Sequence, residues 1–380
     1  MKRVPFKSGV HPFEGKAFSE NEKIIKIEAA PEMVFPMSQH IGAPVVPTVK
    51  IGEIRDPNAV SNEEIAEIVK QCGIVGMGGA GFPTGVKLAP KNAEDIDYLI
   101  INGAECEPYL TSDYRLMTER TGNIITGVSL ALRLFKNAKA VVAIEDNKPD
   151  AIKEFEAQCK GLDKISVMPL KTKYPQGGER RLIASVTGRK INSHTLPADA
   201  GVIVLNVATA YAIYEAVCAS KPLIHRVVTI TGDGANRPGN IDVLIGTPAS
   251  FLMEQCGGLK ENTEKIICGG PMMGFAVPNL EFPVTKTFSS VLALTSDDVV
   301  KMKTTACIHC GRCVGACPEN LVPQLMAASV KAEGYEQYEK LGGMECIECG
   351  CCTYVCPAKR PLTQSFKLAK AEIRASKKSK

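Results

Sequence analysis

The sequence predicts a multidomain chain of mixed α/β and α+β type, and three observations predict it. Apolar strand patterns alternate with amphipathic helical patterns at βαβ spacing from residue 98 to 217. Past residue 225, two short strand patterns flank a Gly/Asn/Pro turn and lead into a helix. From about residue 296 the segments have helical periodicity and are punctuated by two cysteine runs. The chain has 380 residues, 45% hydrophobic and 23% charged, as ordinary globular domains do. At about 150 residues per domain, that is two or three domains.

The elements follow in order. Residues 1–60 are rich in Pro, Val and Ile and read as an extended or β region. Ser61 and Glu64 form a capping box, and Ile65, Ile68, Val69 and Cys72 recur at helical spacing before Gly73. A glycine-rich loop fills 73–85. A strand at 98–101 ends in Asn102, Thr111 or Ser112 caps a helix, and a second helix spans 124–135. Strand 140–144, helix 149–159, strand 164–170 and strand 202–207 with a helix to 217 complete a mainly parallel sheet. The pattern at 225–257 reads as a small β-grasp-type unit. The boundaries are therefore 1–60, 61–222, 223–295 and 296–380.

Composition excludes several classes. The net charge of +4 divides into a tail, 357–380, with eight basic residues and one acid, and a body that is slightly acidic. No recognition motif accompanies the basic tail, so nucleic acid is not an expected partner. The most apolar stretch, 201–219, is broken by Asn206, Thr209 and Glu215, so no transmembrane helix is expected. The N-terminus shows no apolar export signal, which points the clustered cysteines to metal or redox chemistry in the cytosol.

Nine of the fifteen cysteines lie between Cys307 and Cys356. They form Cys307-x-x-Cys310-x-x-Cys313-x-x-x-Cys317-Pro318 and Cys346-x-x-Cys349-x-x-Cys352-x-x-x-Cys356-Pro357. This is the bacterial ferredoxin pattern, in which three thiolates wrap one [4Fe–4S] cluster and the fourth reaches the other. One cluster then uses Cys307, Cys310, Cys313 and Cys356. The other uses Cys346, Cys349, Cys352 and Cys317. Two zinc sites are the alternative, but zinc knuckles use C-x-x-C pairs. Cys351 is off the pattern and reads as a spectator. The other six cysteines, Cys72, Cys106, Cys159, Cys218, Cys256 and Cys268, read as structural. The helical-looking link at 321–341 points to a helical two-cluster domain.

Gly76-Met77-Gly78-Gly79-Ala80-Gly81-Phe82-Pro83-Thr84-Gly85-Val86-Lys87 admits close approach of backbone amides to a phosphate or flat ring. Three clusters at strand ends accompany it: 102–108 with Asn102, Glu105, Cys106 and Glu107; 174–179 with Gly177 and Glu179; and 205–209 with Asn206 and Thr209. Ligands of α/β sheets sit at such carboxyl ends. The set resembles the flavin- and NADH-binding subunit of respiratory complex I. It is more similar still to the RnfC subunit of the Rnf-type electron transport complexes. Met77 stands where complex I has Arg, and Ala104 where it has Asp. SQHIGAP at 38–44, GGPMMGFA at 269–276, the β-grasp unit and the paired cysteine motifs also fit the Rnf subunit. The long sandwich segment usual there is largely missing, since residues 46–50 pass to Ser61 within a dozen residues.

The resemblance implies a complex I flavoprotein-like α/β domain, an SLBB-type β-grasp domain and a two-[4Fe–4S] ferredoxin domain. It implies FMN and NAD(H). Gly76, Gly78, Gly79 and Lys87 would hold the FMN phosphate and ring edge, with Gly81 and Gly177 in the same cradle. Asn102, Asn206 and Thr209 would hydrogen-bond the flavin, and Phe82 would contact the nicotinamide nucleotide. Glu105, Glu107 and Glu179 would bind ribose hydroxyls or tune the flavin. Chemistry would be cofactor-borne, with no catalytic acid or base. The implied activity is ferredoxin:NAD+ oxidoreduction coupled to Na+ or H+ transport, with the chain peripheral on the cytoplasmic membrane face beside other Rnf subunits, one of them an iron–sulfur subunit. A stand-alone flavin/iron–sulfur reductase of cobalamin-reductase type, and a non-enzymatic polyferredoxin, are the alternatives. An apolar stripe in the tail (Leu362, Phe366, Leu368, Ala369, Ile373) is a candidate for docking on membrane subunits or lipid.

Overall fold

The computed structural model describes residues 22–27 and 54–378. The SQHIGAP motif and most of the 1–60 region therefore lie outside the described residues. In chain order the strands are β1 (Ile24–Lys26), β2 (Tyr98–Gly103), β3 (Lys139–Glu145), β4 (Ile165–Leu170), β5 (Val202–Asn206), β6 (His225–Thr231), β7 (Gly239–Leu244), β8 (Lys265–Cys268), β9 (Phe275–Val277) and β10 (Ser290–Leu294). The helices are α1 (Asn62–Gln71), α2 (Thr84–Lys87), α3 (Ser112–Glu119), α4 (Thr121–Leu132), α5 (Pro149–Gln158), α6 (Glu179–Thr187), α7 (Val207–Ala219), α8 (Ala249–Gln255), α9 (Asp298–Lys301), α10 (Arg312–Ala316), α11 (Pro323–Lys331), α12 (Tyr335–Lys340), α13 (Cys351–Tyr354) and α14 (Leu362–Lys378).

The Ser61 hydroxyl accepts from the Glu64 amide and the Glu64 carboxylate accepts from the Ser61 amide, so α1 opens on the expected capping box. The first sheet is parallel throughout, in the order β4-β3-β2-β5. Successive side chains of β2 alternate between two apolar layers, which is why its sequence is apolar at every position from Tyr98 to Ile101. Leu99 and Ile101 pack with α1, α4 and α7, while Tyr98 and Ile100 pack with Leu182, Ile183 and Val186 of α6. Gly127 lets α4 approach α7, because a Cβ there would strike the Ala210 carbonyl. Register places Asn102 beside Asn206 at the carboxyl edge, where the chain leaves β5 directly for α7.

The second sheet is mixed, in the order β1-β7-β6-β10-β8-β9, and α8 covers its core of Val228, Ile230, Ile241, Val243, Leu252, Met253, Val291 and Ala293. Residues 24–26, far away in sequence, form its edge by pairing with β7.

Helices α10 to α14 make the third unit, around Met326, Tyr338, Leu362, Phe366, Ala369 and Ile373. This corrects the reading of the tail stripe as a docking face. Four of its five apolar residues are buried in this core, with the Tyr338 and Phe366 rings 6.0 Å apart, and Leu368 alone faces out.

Candidate functional site

The glycine loop is a closed hairpin at the carboxyl edge of the parallel sheet. The Gly76 amide donates to the Phe82 carbonyl at 2.9 Å, and the Thr84 amide donates to the Ile74 carbonyl at 2.9 Å. Met77 is the buried anchor. Its amide donates to the Thr209 hydroxyl at 3.1 Å, and its carbonyl accepts from the Arg226 guanidinium at 3.0 Å. Arg226 is itself buried on β6, and desolvation lowers its pKa to about 10. With Met77 pinned from two sides, Gly78, Gly79 and Ala80 stand out in solvent with their amides, and Phe82 is exposed beside them.

Asn206 is the junction of the site. Its Oδ1 caps α7 by accepting from the Ala208 amide at 2.8 Å, and its Nδ2 donates to Asp113 at 2.6 Å. A Cβ on Gly78 would come within 2.8 Å of that same Nδ2. Asn102 donates to the Gly177 carbonyl at 2.9 Å and accepts from the Ala104 amide at 3.1 Å, while a Cβ on Gly177 would meet the Ala104 carbonyl. Lys87 reaches across with its ammonium 2.9 Å from both Glu179 and the Val204 carbonyl. Gly76, Gly78, Gly79, Gly81, Phe82, Lys87, Asn102, Gly177, Glu179, Asn206 and Thr209 thus gather at one sheet edge. Small residues, exposed amides and a cation fit a flat ring carrying a phosphate.

Glu105 and Glu107 are placed there too, but backbone amides occupy their carboxylates. Glu105 accepts from Asp113 and Tyr114 at 2.9 and 3.1 Å, so it caps α3 in place of the expected Thr111 or Ser112 hydroxyl. Burial, helped by the Asp113 carboxylate, pushes the Glu105 pKa up to about 8. Glu107 accepts from Met272 and Met273 at 2.6 and 3.1 Å and so ties the site to the GGPMMGFA loop; burial raises its pKa as well. Cys106 accepts from the Gly177 amide at 3.3 Å, and burial holds its thiol far above the usual range. That fits a filler and not a nucleophile.

The cysteines converge on two cavities. Cys307, Cys310, Cys313 and Cys356 line one. Cys317, Cys346, Cys349 and Cys352 line the other, together with Cys351, which is buried and hydrogen-bonds Cys349. The two motifs repeat in backbone detail. His309 and Glu348 have φ of 54° and 58°, Gly311 and Gly350 have 73° and 85°, and Asn320 and Lys359 have 56° and 53°. The His309 and Glu348 amides donate to the Cys307 and Cys346 sulfurs, each at 3.4 Å, and the Leu321 amide donates to Cys317 at 3.4 Å. Four motif thiols in each cavity, with amides aimed at sulfur, suit an iron–sulfur cluster bound by thiolates.

Tyr174, to which sequence reasoning gave no role, joins the two regions. It belongs to the Gly177 loop, and its hydroxyl donates to the Cys349 carbonyl at 2.7 Å. Arg181 on α6 adds a bond to the Pro318 carbonyl at 3.0 Å and an ion pair with Glu319 at 3.0 Å, and Arg180 pairs with Glu345 at 2.8 Å. The arginine pair next to the Gly177-Gly178 turn was the available signal. Its partners, more than a hundred residues on, were not readable.

Family models match four stretches of the chain. Residues 69–215 match the Nuo51 FMN-binding domain, 4–67 the RnfC barrel sandwich hybrid domain, 227–276 the SLBB domain and 306–359 the 4Fe-4S dicluster domain. The C-subunit of the proton-translocating ferredoxin:NAD+ oxidoreductase complex of Clostridium ljungdahlii is 41% identical, with 98% of this chain and 94% of the relative aligned. The C-subunit of the Na+-translocating complex of Acetobacterium woodii is 39% identical over 100% of this chain and 99% of the relative. The C-subunit of the ion-translocating oxidoreductase complex of Rhodobacter capsulatus is 48% identical over 83% and 61%. A NAD+-reducing [NiFe]-hydrogenase structure shares the fold, with a TM-score of 0.58 and 21% identity over 74% of this chain and 55% of that one. With relatives aligned along its whole length and FMN-binding, SLBB and dicluster domains in sequence, the chain belongs to the RnfC family, a subunit family of the Rnf-type, ion-translocating ferredoxin:NAD+ oxidoreductase complexes.

Proposed function

We propose that this chain is the NAD(H)-facing subunit of such a complex, with 61–222 as its FMN and NAD(H) unit, 223–295 as its SLBB unit and 296–380 as its ferredoxin unit. When bound, FMN supplies hydride exchange with NAD(H) and the two [4Fe–4S] clusters supply single-electron steps. The protein supplies position and electrostatics. The amides of Gly78, Gly79 and Ala80 with Lys87 hold the FMN phosphate and ring edge. Gly76, Gly81 and Gly177 keep the cradle open, and Asn102, Asn206 and Thr209 orient the flavin. Phe82 contacts the nicotinamide nucleotide. Glu179 meets the nucleotide or exchanges its Lys87 contact for it. Glu105 and Glu107 act on the flavin through the amides they hold. Cys307, Cys310, Cys313 and Cys356 bind one cluster, and Cys317, Cys346, Cys349 and Cys352 the other.

The observation that carries this reading is the 2.7 Å bond from Tyr174, in the flavin loop, to Cys349 at a cluster cavity. Among the described residues no helix is long and apolar enough to cross a membrane. The proposed place is peripheral, on the cytoplasmic face, held by the other subunits and coupled through them to Na+ or H+ movement. Anaerobic purification with flavin and iron analysis tests it, followed by NADH titration watched by absorbance and EPR. The expected result is one FMN and about eight irons per chain, with NADH bleaching the flavin. A chain lacking FMN, or a flavin that NADH leaves oxidised, refutes it.

A further inference from the structure

The glycine loop is held from outside its own unit. Three points of it meet residues 223–295, the unit of the second sheet. The Lys286 ammonium donates to the Gly73 carbonyl at 2.7 Å, and a Cβ on Gly73 would lie 2.8 Å from that nitrogen. A Cβ on Gly81 would lie 2.9 Å from the Thr287 methyl. Between these two points the Arg226 guanidinium of β6 donates to the Met77 carbonyl at 3.0 Å. Gly73 and Gly81 have φ of 63° and 73°, so both ends of the loop need glycine for their backbone as well as for their approach to 286–287. Gly78, Gly79 and Ala80 are left to solvent.

Arg226 also ties the 286–288 turn to the loop. Its other nitrogens donate to the Lys286 carbonyl, at 2.8 Å, and to the Phe288 carbonyl. It is 7% exposed, and among the described residues its hydrogen bonds all go to backbone carbonyls. Asp113 acts on it through space, but the hydrogen bond that the Asp113 carboxylate takes comes from Asn206, at 2.6 Å. A buried cation with no carboxylate bonded to it is costly, and an apolar side chain of similar volume packs at less cost. Neutral donors would serve carbonyls as well. What a neutral side chain would not bring is the charge, and the residue that Arg226 grips precedes the exposed amides of the cradle. A cation favours whichever form of its neighbour is the more negative. For a flavin that is the reduced form.

We propose that Arg226 is a positioning residue of the flavin site, through which the second-sheet unit sets the glycine loop and supplies a positive charge that holds reduced flavin more tightly than oxidised. The proposal rests on the reading of the loop as the FMN cradle. It is tested on the full chain purified anaerobically, with FMN as the probe. Binding is read by quenching of flavin fluorescence and the potential of the bound flavin by spectroelectrochemical titration. Arg226→Gln removes the charge, Arg226→Lys keeps it but loses the guanidinium fork, and Lys160→Gln removes an exposed charge beyond α5 as a control. For Arg226→Gln the expected result is oxidised FMN bound about tenfold more weakly and reduced FMN about a hundredfold more weakly. The extra tenfold lowers the two-electron potential by about 30 mV. Arg226→Lys weakens both forms alike and keeps the wild-type potential, and the iron content of both variants is unchanged. A wild-type potential in Arg226→Gln, or an equal fall in Arg226→Lys or in Lys160→Gln, overturns the proposal. If circular dichroism shows Arg226→Gln unfolded, Lys286→Met removes a cation from the same turn and decides: a lower potential is expected, and a wild-type potential overturns the proposal. A wild-type chain that binds no FMN overturns the cradle reading instead.

Discussion

Crossed ligand sets make a prediction that two matched double variants decide. Cys356 lies in the second motif but lines the cavity of Cys307, Cys310 and Cys313. Cys346 lines the other, with Cys317. If each cavity holds one cluster, Cys307→Ala/Cys356→Ala removes two ligands from a single cluster. Cys346→Ala/Cys356→Ala removes one ligand from each. The full chain carries about eight irons in two [4Fe–4S] clusters. The first variant then keeps about four, in the cavity beside Tyr174, and the second keeps close to none. Both variants lose Cys356 and the first cysteine of one motif, so their insult to the fold is matched. Far-ultraviolet circular dichroism equal between them secures the comparison. Iron and sulfide analysis of anaerobic preparations reads the count, and EPR after dithionite shows one signal surviving in the first variant. The reverse pattern, with about four irons kept by Cys346→Ala/Cys356→Ala, refutes crossed ligation and the assignment of thiols to cavities. Cys351→Ala keeps the count at about eight, because the off-pattern thiol lines a cavity whose quartet is complete without it.

The other predictions concern the flavin unit. Gly78→Ala, whose Cβ would press on Asn206 at 2.8 Å, lowers FMN retention after gel filtration and leaves the iron content unchanged; full flavin occupancy would count against Asn206 as the junction of the site. Gly127→Ala drives a methyl into the Ala210 carbonyl between α4 and α7, and such overpacking costs about 1–3 kcal/mol. A unit of the size of 61–222, which holds Gly127, then melts roughly 2–4 °C lower for each kcal/mol, and an unchanged melting curve sinks the packing argument. Glu145 is 1% exposed and burial raises its pKa to about 7. The native state therefore keeps this proton to higher pH than the unfolded chain does. Its contribution is most favourable below the ordinary carboxylate pKa and is lost as pH rises toward about 7, at up to about 1.4 kcal/mol per pH unit. Glu145→Gln keeps the acceptor for the Lys173 amide and flattens that decline in thermal melts between about pH 5 and 8; a wild-type slope in the variant is the refuting result.

What the sequence made legible was local. The Ser61 box, the alternation of strands and helices, and the 2-2-3 spacing of cysteines each depend on neighbours within a turn or two, and the structure reproduces them. The site residues were legible as strand-end clusters because an α/β sheet brings those ends to one edge whatever the loops do. Contacts across long separations were not. Thr111 or Ser112 looked like the cap of α3, yet the Glu105 carboxylate takes the Asp113 and Tyr114 amides, which requires the loop after β2 to fold back. Glu107 looked like a ligand-facing acid, and its partners are amides 165 and 166 residues away. The tail stripe was periodic, as a docking helix and a packing helix both are; only the presence of Tyr338 and Met326 opposite it decides for packing.

The cysteine repeat shows why the same limit bears on function. Two identical spacings, with the same left-handed residues at the same places, produce two nearly identical loops. From sequence alone the clusters they would hold are interchangeable. They become distinct only through what lies outside them. Tyr174, Met272 and Arg181 close over the second loop, while Ile308, His309, Cys310 and Arg312 of the first are exposed to solvent. Shielding and local charge set how a thiolate-bound cluster exchanges electrons. A repeat embedded asymmetrically therefore has an inner loop covered by the Gly177 region and an outer loop open to solvent, and that polarity is a property of the packing rather than of either motif.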